Sequence, residues 1–216
     1  MEYTATRYKR EIAIFGILII LEELQIPYEL NEIPFTEIKQ EPYISLNPNG
    51  RVPTIEDPNT GITLWESGAI IEYLVETYDK ENALQYTSSL EKHLQSQWSY
   101  FQASGQGPYF GQLGWFSLFH PEKIPSVLDR YKAEVRRVLG LIDAHLTKTG
   151  QQYLIGEKLS YVDLMFVPWH EIAPKLLMGE GFLEEWEKTW PKTWAWHRKL
   201  MARDAVQRTQ ALRDSK

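Results

Sequence analysis

Two short clusters in the first third of the chain carry residue types that bind ligands. Arg51, Val52 and Pro53 open "RVPTIED", and Glu66 and Ser67 stand in "LWESGAIIEYL", directly ahead of a helical pattern. An acid and a hydroxyl at a helix start read in two ways. They cap the helix, Ser67 taking up a free backbone N–H and Glu66 complementing the positive end of the helix dipole. Alternatively they bind a small charged peptide whose anionic end suits the same N–H groups. Both readings can hold together. Other chemistries are excluded or unsupported. There is no cysteine, so no disulfide, thiol nucleophile or thiolate metal site is possible, and any thiol chemistry has to use a thiol brought by a ligand. His93, His120, His145, His170 and His197 lack a metal-ligand spacing such as H-E-x-x-H, so no metal is expected. There is no nucleotide-binding glycine loop, and a Ser/His/Asp triad, being spatial, is not legible in sequence.

The elements that must position these clusters follow from patterning. "EYTA" reads as the end of a strand. "IAIFGILIILEEL" is ambiguous by period, but its "LEELQIP" close favours a helix stopped by Pro27. "PYELNEIPF" reads as a strand. "VPTIED" and "GITLW", separated by "DPNTG", make a hairpin. Ala69, Ile70, Tyr73, Leu74 and Thr77 recur at helical spacing. The result is a small α/β unit over residues 1–78. Residues 79–88 are polar and aperiodic, a candidate linker, and residues 89–216 read as helices throughout. "LSYVDLMFVPW" opens with a capping-box-like Ser160 and Asp163. A last helix is predicted over "TWAWHRKLMARDAVQR".

Bulk composition agrees with two packed domains. Of 216 residues, 43% are hydrophobic and 24% charged, which predicts a folded core. Residues 1–86 hold 15 acids against 6 bases, residues 87–216 hold 14 against 17, so the halves differ in sign. Neither has the basic excess of a nucleic-acid binder. The ten apolar residues from Ile12 are too few to cross a bilayer, which takes about 20. No small-residue cleavage site follows them, which argues against a signal peptide and for a cytoplasmic protein.

The segments "NPNGRVPTIED" and "LWESGAIIEYLVETYD" resemble the glutathione-binding half of cytosolic glutathione transferases. "FQASGQGPYFGQLGWF", "HPEKIP" and "WPKTWAWHRKLMARDAV" resemble the helical half of one branch, the fungal and bacterial group related to the yeast nitrogen-regulator prion protein. The similarity runs from about Tyr3 to Arg208. It implies an α/β N-terminal thioredoxin-like domain followed by an all-α C-terminal domain, assembled as a homodimer. It further implies a cis Val52–Pro53 bond, with the Val52 main chain pairing with the cysteinyl unit of glutathione like an added strand. The γ-glutamyl carboxylate would sit on the helix N-terminus and Ser67, and its ammonium on Glu66. Arg51 and Lys39 would meet the glycine carboxylate or the glutamyl end; the alternative for Lys39 is a solvated loop lysine.

At one point the chain departs from the family. Its members place a Tyr, Ser or Asn at the start of the first helix, where it donates a hydrogen bond to the glutathione thiolate and lowers the thiol pKa. In this branch the stretch resembles "P-N-G-W-K-V". Aligned without gaps on "LEEL", the Asn position falls on Ala13 and the Lys position on Gly16, and neither side chain can donate. Three readings stay open. Thr4, Thr6, Tyr8 or a backbone N–H serves as the donor; glutathione binds without the usual activation; or the segment reflects an altered chain start with a weakened site.

The resemblance also places a hydrophobic electrophilic small molecule between the domains. "QASGQGPYFGQLGWF" is expected to break a long helix near Gly105, Gly107 and Pro108. That break would bring Tyr109, Phe110, Trp115 or Phe116 to the cleft, with Trp169 and His170 as further candidates. The alternative is that these aromatics pack between helices or subunits. The function implied is a glutathione-dependent transferase that conjugates, reduces or rearranges such a molecule. Its rivals are a non-catalytic regulator of the same fold and a natural-product pathway enzyme catalysing elimination or isomerisation.

Overall fold

A computed structural model of the chain describes residues 3–7 and 12–214. The chain divides into two compact units, Met1–Ala83 with Arg203–Lys216, and Leu84–Ala202. The first is built on a four-stranded sheet of order β2-β1-β3-β4, with β1 Tyr3–Arg7, β2 Tyr28–Glu32, β3 Thr54–Asp57 and β4 Ile62–Trp65. β1 and β2 are parallel; β3 is antiparallel to both β1 and β4. Helix α1, Ile12–Glu23, links the parallel pair. Every residue from Ile14 to Leu21 is buried, which explains why its period is illegible: a helix covered on all sides needs no polar stripe. Helix α2, Tyr43–Leu46, is a single turn, and α3 spans Ser67–Tyr78.

The β3–β4 turn is set by Asp57. Its carboxylate accepts from the Asn59 N–H at 2.8 Å, while Gly61, at φ +74°, donates to the Asp57 carbonyl. The same carboxylate accepts hydrogen bonds from the hydroxyls of Tyr73 and, at 2.6 Å, Tyr78, both on α3. Burial pushes the Asp57 carboxyl up, but these donors outweigh it and bring it down to about 2. Asp57 thus ties the hairpin to the helix.

The second unit comprises α4 Ser89–Phe101, α5 Gly107–Leu118, α6 Pro125–Thr149, α7 Tyr161–Met165, α8 Val167–Ile172, α9 Phe182–Thr189 and α10 Pro191–Met201. Between α4 and α5 the chain does not break. It widens into a π-helical turn, Gln102–Gln106, whose last N–H, that of Gly107, reaches the Gln102 carbonyl. Pro108 cannot donate its own bond, and the wide turn absorbs the misfit. At Gly105 a Cβ would lie 2.9 Å from the Phe101 ring, so only glycine permits that approach. Asp163 at the start of α7 completes a capping box with Ser160 and also accepts from Leu154 N–H and Trp196 Nε1. Leu84 and Tyr86 are fastened into this unit: the Leu84 carbonyl accepts from Tyr161 N–H, and Tyr86 bonds the Ile155 carbonyl.

The last predicted helix is two. It turns at Ala202 and Arg203, and α11, Asp204–Asp214, packs on α1 in the first unit. Arg203 fixes the turn by gripping Glu23 through Nε at 2.5 Å and Nη2 at 2.7 Å.

Candidate functional site

Sheet register brings the two candidate clusters to one edge. Asn31, Thr6, Thr54 and Trp65 lie in a single row across all four strands. From that row the chain leads back from Thr54 to Pro53 and Val52, forward from Trp65 to Glu66 and Ser67, and forward from Thr6 to Arg7. Because β3 is antiparallel to β1 and β4, all three segments leave the sheet on the same side. Residues distant in sequence meet there for a purely topological reason.

The loop ahead of β3 is tightly fixed. Asn47, 2% exposed, donates from Nδ2 to the Arg51 carbonyl at 2.5 Å and accepts from Asn49 N–H at 3.0 Å. Tyr43, also buried, donates its hydroxyl to the same carbonyl at 2.7 Å and shares a hydrogen bond with Thr54 Oγ1. Val52 packs with Ile38 and Tyr43, and the Val52–Pro53 bond is cis. Gly50, at φ +60°, leaves no room for a side chain: a Cβ would meet Lys39 Cγ at 3.1 Å and the Ile38 carbonyl at 3.2 Å. The stem of Lys39 therefore lies against the turn that carries Arg51. Both cations are exposed.

At the start of α3, Glu66 occupies the capping position at φ +74° and ψ 113°, a conformation that L side chains seldom adopt. Its side chain makes no capping bond, and Ser67 is the first helical residue rather than the cap. Among the described residues, no side-chain hydrogen bond or ion pair occupies Lys39, Arg51, Glu66 or Ser67. The first N–H groups of α3 stay uncapped while Ile70 N–H bonds the Glu66 carbonyl. Two cations, a carboxylate, a hydroxyl and a bare helix N-terminus are thus poised on a rigid frame. Such a set suits a peptide zwitterion with a second carboxylate.

The sulfur-activating candidates divide by position. Thr6 lies in the row just described and Thr4 is two residues further from that edge. Tyr8 lies outside the described residues. Ala13 sits half-buried in the first turn of α1, and Gly16 is buried.

In the second unit the four aromatics of α5 point different ways. Phe110 is fully buried, against Trp169 and His170. Tyr109 and Phe116 flank Tyr131 of α6 at ring separations of 6.3 and 6.0 Å. Trp115 is 52% exposed and stacks on Phe119. Trp169 is half-buried over Gly107 and Gly111, where a Cβ would come within 3.9 and 3.6 Å of the indole.

Asn47 and Tyr43 are absent from the sequence-level site. Asn47 had a local signal, since Asn in an "NPNG" turn commonly bonds its own backbone; Tyr43 acts across eight residues and had none.

Comparison with known proteins gives the family. Residues 15–77 match the model of the glutathione S-transferase N-terminal domain, and residues 108–204 match that of the C-terminal domain. The glutathione S-transferase-like protein tpcF of Aspergillus fumigatus is 42% identical over 203 residues, covering 90% of this chain and 89% of that protein. Two Phanerochaete chrysosporium crystal structures are similar. URE2P6, in complex with oxidized glutathione, superposes with a TM-score of 0.92 at 42% identity, over 98% of this chain and 96% of that one. Ure2p5, cocrystallized with 1-(S-glutathionyl)-2,4-dinitrobenzene, gives 0.89 at 33% identity, over 98% and 94%. The chain belongs to the glutathione S-transferase family, in the branch of the Ure2p-type transferases.

Proposed function

We propose that this protein binds reduced glutathione across Arg51, Val52, Pro53, Glu66 and Ser67, with Lys39 adding charge at the rim, and joins it through its sulfur to a hydrophobic electrophile. The observation that carries this reading is the convergence of the Arg51–Pro53 loop and the uncapped start of α3 on one end of the sheet. In the proposed complex the γ-glutamyl carboxylate takes the free N–H groups of α3 and the Ser67 hydroxyl. Its ammonium takes Glu66, and the Val52 main chain pairs with the cysteinyl unit. Loss of the thiol proton to solvent leaves a thiolate, which attacks the electrophilic carbon; with an aryl halide, the halide departs. Binding both partners on one protein supplies proximity. Thr6, Thr4 and Tyr8, or a backbone N–H near them, are the candidate donors to the thiolate. Tyr109, Phe110, Trp115 and Phe116 are the candidate contributors to the electrophile's site. Dimerisation with a second copy and a cytoplasmic location belong to the same reading, on the strength of family membership.

A second reading, a natural-product pathway enzyme or a non-catalytic regulator of this fold, is favoured by one observation. Ala13 occupies the first turn of α1, where the resemblance expects a hydrogen-bond donor. Retention on immobilised glutathione, followed by turnover of 1-chloro-2,4-dinitrobenzene and of a mixed disulfide, separates the readings. Retention with turnover of either substrate supports the transferase. Retention without turnover supports the second reading. Failure to bind removes the site itself.

A further inference from the structure

The helical unit holds a group of buried polar atoms that the glutathione site does not use. His170 on α8 is 1% exposed, and among the described residues neither of its ring nitrogens has a hydrogen-bond partner. His197 on α10 is 5% exposed, and its Nδ1 is likewise unpartnered. The two rings stand 5.7 Å apart and nearly perpendicular. Trp186 of α9, fully buried with an unpartnered Nε1, stacks on His197 at 5.0 Å and meets His170 edge-on at 5.4 Å. Phe110, Phe166 and Trp196 close the cage around His170 at 5.9, 5.8 and 5.9 Å. We propose that His170 and His197 form an acid-operated latch: both must be neutral for α8, α9 and α10 to pack, and protonating them on acidification unlocks the helical unit.

The physical argument is one of donors and charge. A neutral imidazole has one donor and one acceptor; an imidazolium has two donors and a full charge. In a site without a partner for even the neutral ring, a second donor and a charge are far more costly. The charged groups facing the pair are few. α8 itself contributes Glu171, buried and paired at 2.7 Å with Lys175 of a second π-helical turn, Ala173–Leu177, which follows α8. α10 contributes Arg198, whose guanidinium lies over the Trp194 ring. α7 contributes Asp163, reached only through Trp196 Nε1. α5 and α9 present Phe110 and Trp186, which do not titrate. Burial pushes both imidazoles below their ordinary value: His170 well below it, helped by His197, and His197 to about 4. For His197, Glu171 opposes burial, while Arg198 and Lys175 reinforce it.

The sign follows. Folded values below the unfolded one mean stability that is complete above about pH 6.5 and is lost as pH falls toward 4. With about 4 when folded and about 6.5 when unfolded, His197 alone raises the unfolding constant about thirtyfold at pH 5 relative to pH 8. Asp163 works in the opposite direction, since burial pushes its carboxyl up and the folded chain then holds its proton more tightly. The Asp57 carboxyl, at about 2, is outside this range.

Urea unfolding followed by circular dichroism at pH 8 and pH 5 tests the latch, on the full chain and on a variant carrying His170→Phe and His197→Phe. The expected result is a folding constant that falls about thirtyfold or more in the wild type and no more than about threefold in the variant. Equal falls in the two proteins would overturn the proposal. Should the variant not fold, NMR titration of the wild-type imidazole C–H signals decides. Two of the five histidines staying neutral down to pH 5 supports the latch; all five titrating near 6.5 would overturn it.

Discussion

Glu66 carries a structural cost for which the proposed binding of glutathione supplies a chemical reason. Its φ of +74° is one that glycine adopts freely and glutamate does not, and strain of this kind costs about 1–3 kcal/mol. Its side chain contributes no cap in return. Glu66→Gly is therefore expected to leave the fold unchanged or stabilise it by about 1 kcal/mol, while glutathione affinity falls roughly tenfold or more. Thermal unfolding and calorimetric titration on the same sample check both halves. Asn47 acts one step away, by holding the Arg51 carbonyl. Asn47→Ala leaves that carbonyl to Tyr43 alone and frees Asn49 N–H; a loss of about 1–3 kcal/mol in stability is expected, with a rise in the Kd for glutathione. An unchanged Kd would show that the loop keeps its shape without it.

Among the elements, those with a local signal were legible and those fixed by distant partners were not. The β3–β4 hairpin followed from "DPNTG" because Asp57 and Gly61 build the turn locally. Helix α3 followed from its apolar period. The strand read over "PYELNEIPF" ends at Glu32, two residues before Pro34, which cannot donate to a ladder. The π-helical turn was read as a break because sequence shows the proline and glycines but not the Gly107-to-Gln102 bond that carries the helix through. Asp57 couples the hairpin to α3, and its titration is a property of both. Its folded value of about 2 lies below the ordinary 3.8, so its stabilisation is complete above about pH 4 and is lost as pH falls toward 2. The difference corresponds to about 2.5 kcal/mol. Asp57→Asn should remove that acid-side dependence, as measured by urea midpoints between pH 5 and 2, together with about that much stability.

On the scale of the whole molecule, the least legible feature is the return of the C-terminus. "KLMARDAVQR" keeps a helical character throughout, and nothing local says that the chain turns at Ala202 and packs α11 on α1. The reason lies at Glu23, almost the length of the chain away, whose carboxylate receives the Arg203 guanidinium in two parallel bonds. Arg203→Ala should destabilise the first unit by about 1.5–3 kcal/mol and speed proteolysis near Ala202, because Glu23 is left largely buried without its cation. Cleavage unchanged at that site would place the hold of α11 in its apolar contacts instead. The convergence of three separate segments on one sheet end remains the feature from which a function is drawn. Its most direct measurement is calorimetric titration of reduced glutathione into the wild type, Glu66→Ala and Ser67→Ala. Saturable binding is predicted for the wild type, with each substitution weakening it by about 1.5–3 kcal/mol, or roughly ten- to a hundredfold. No heat of binding in the wild type, or equal affinity in all three proteins, would contradict the site.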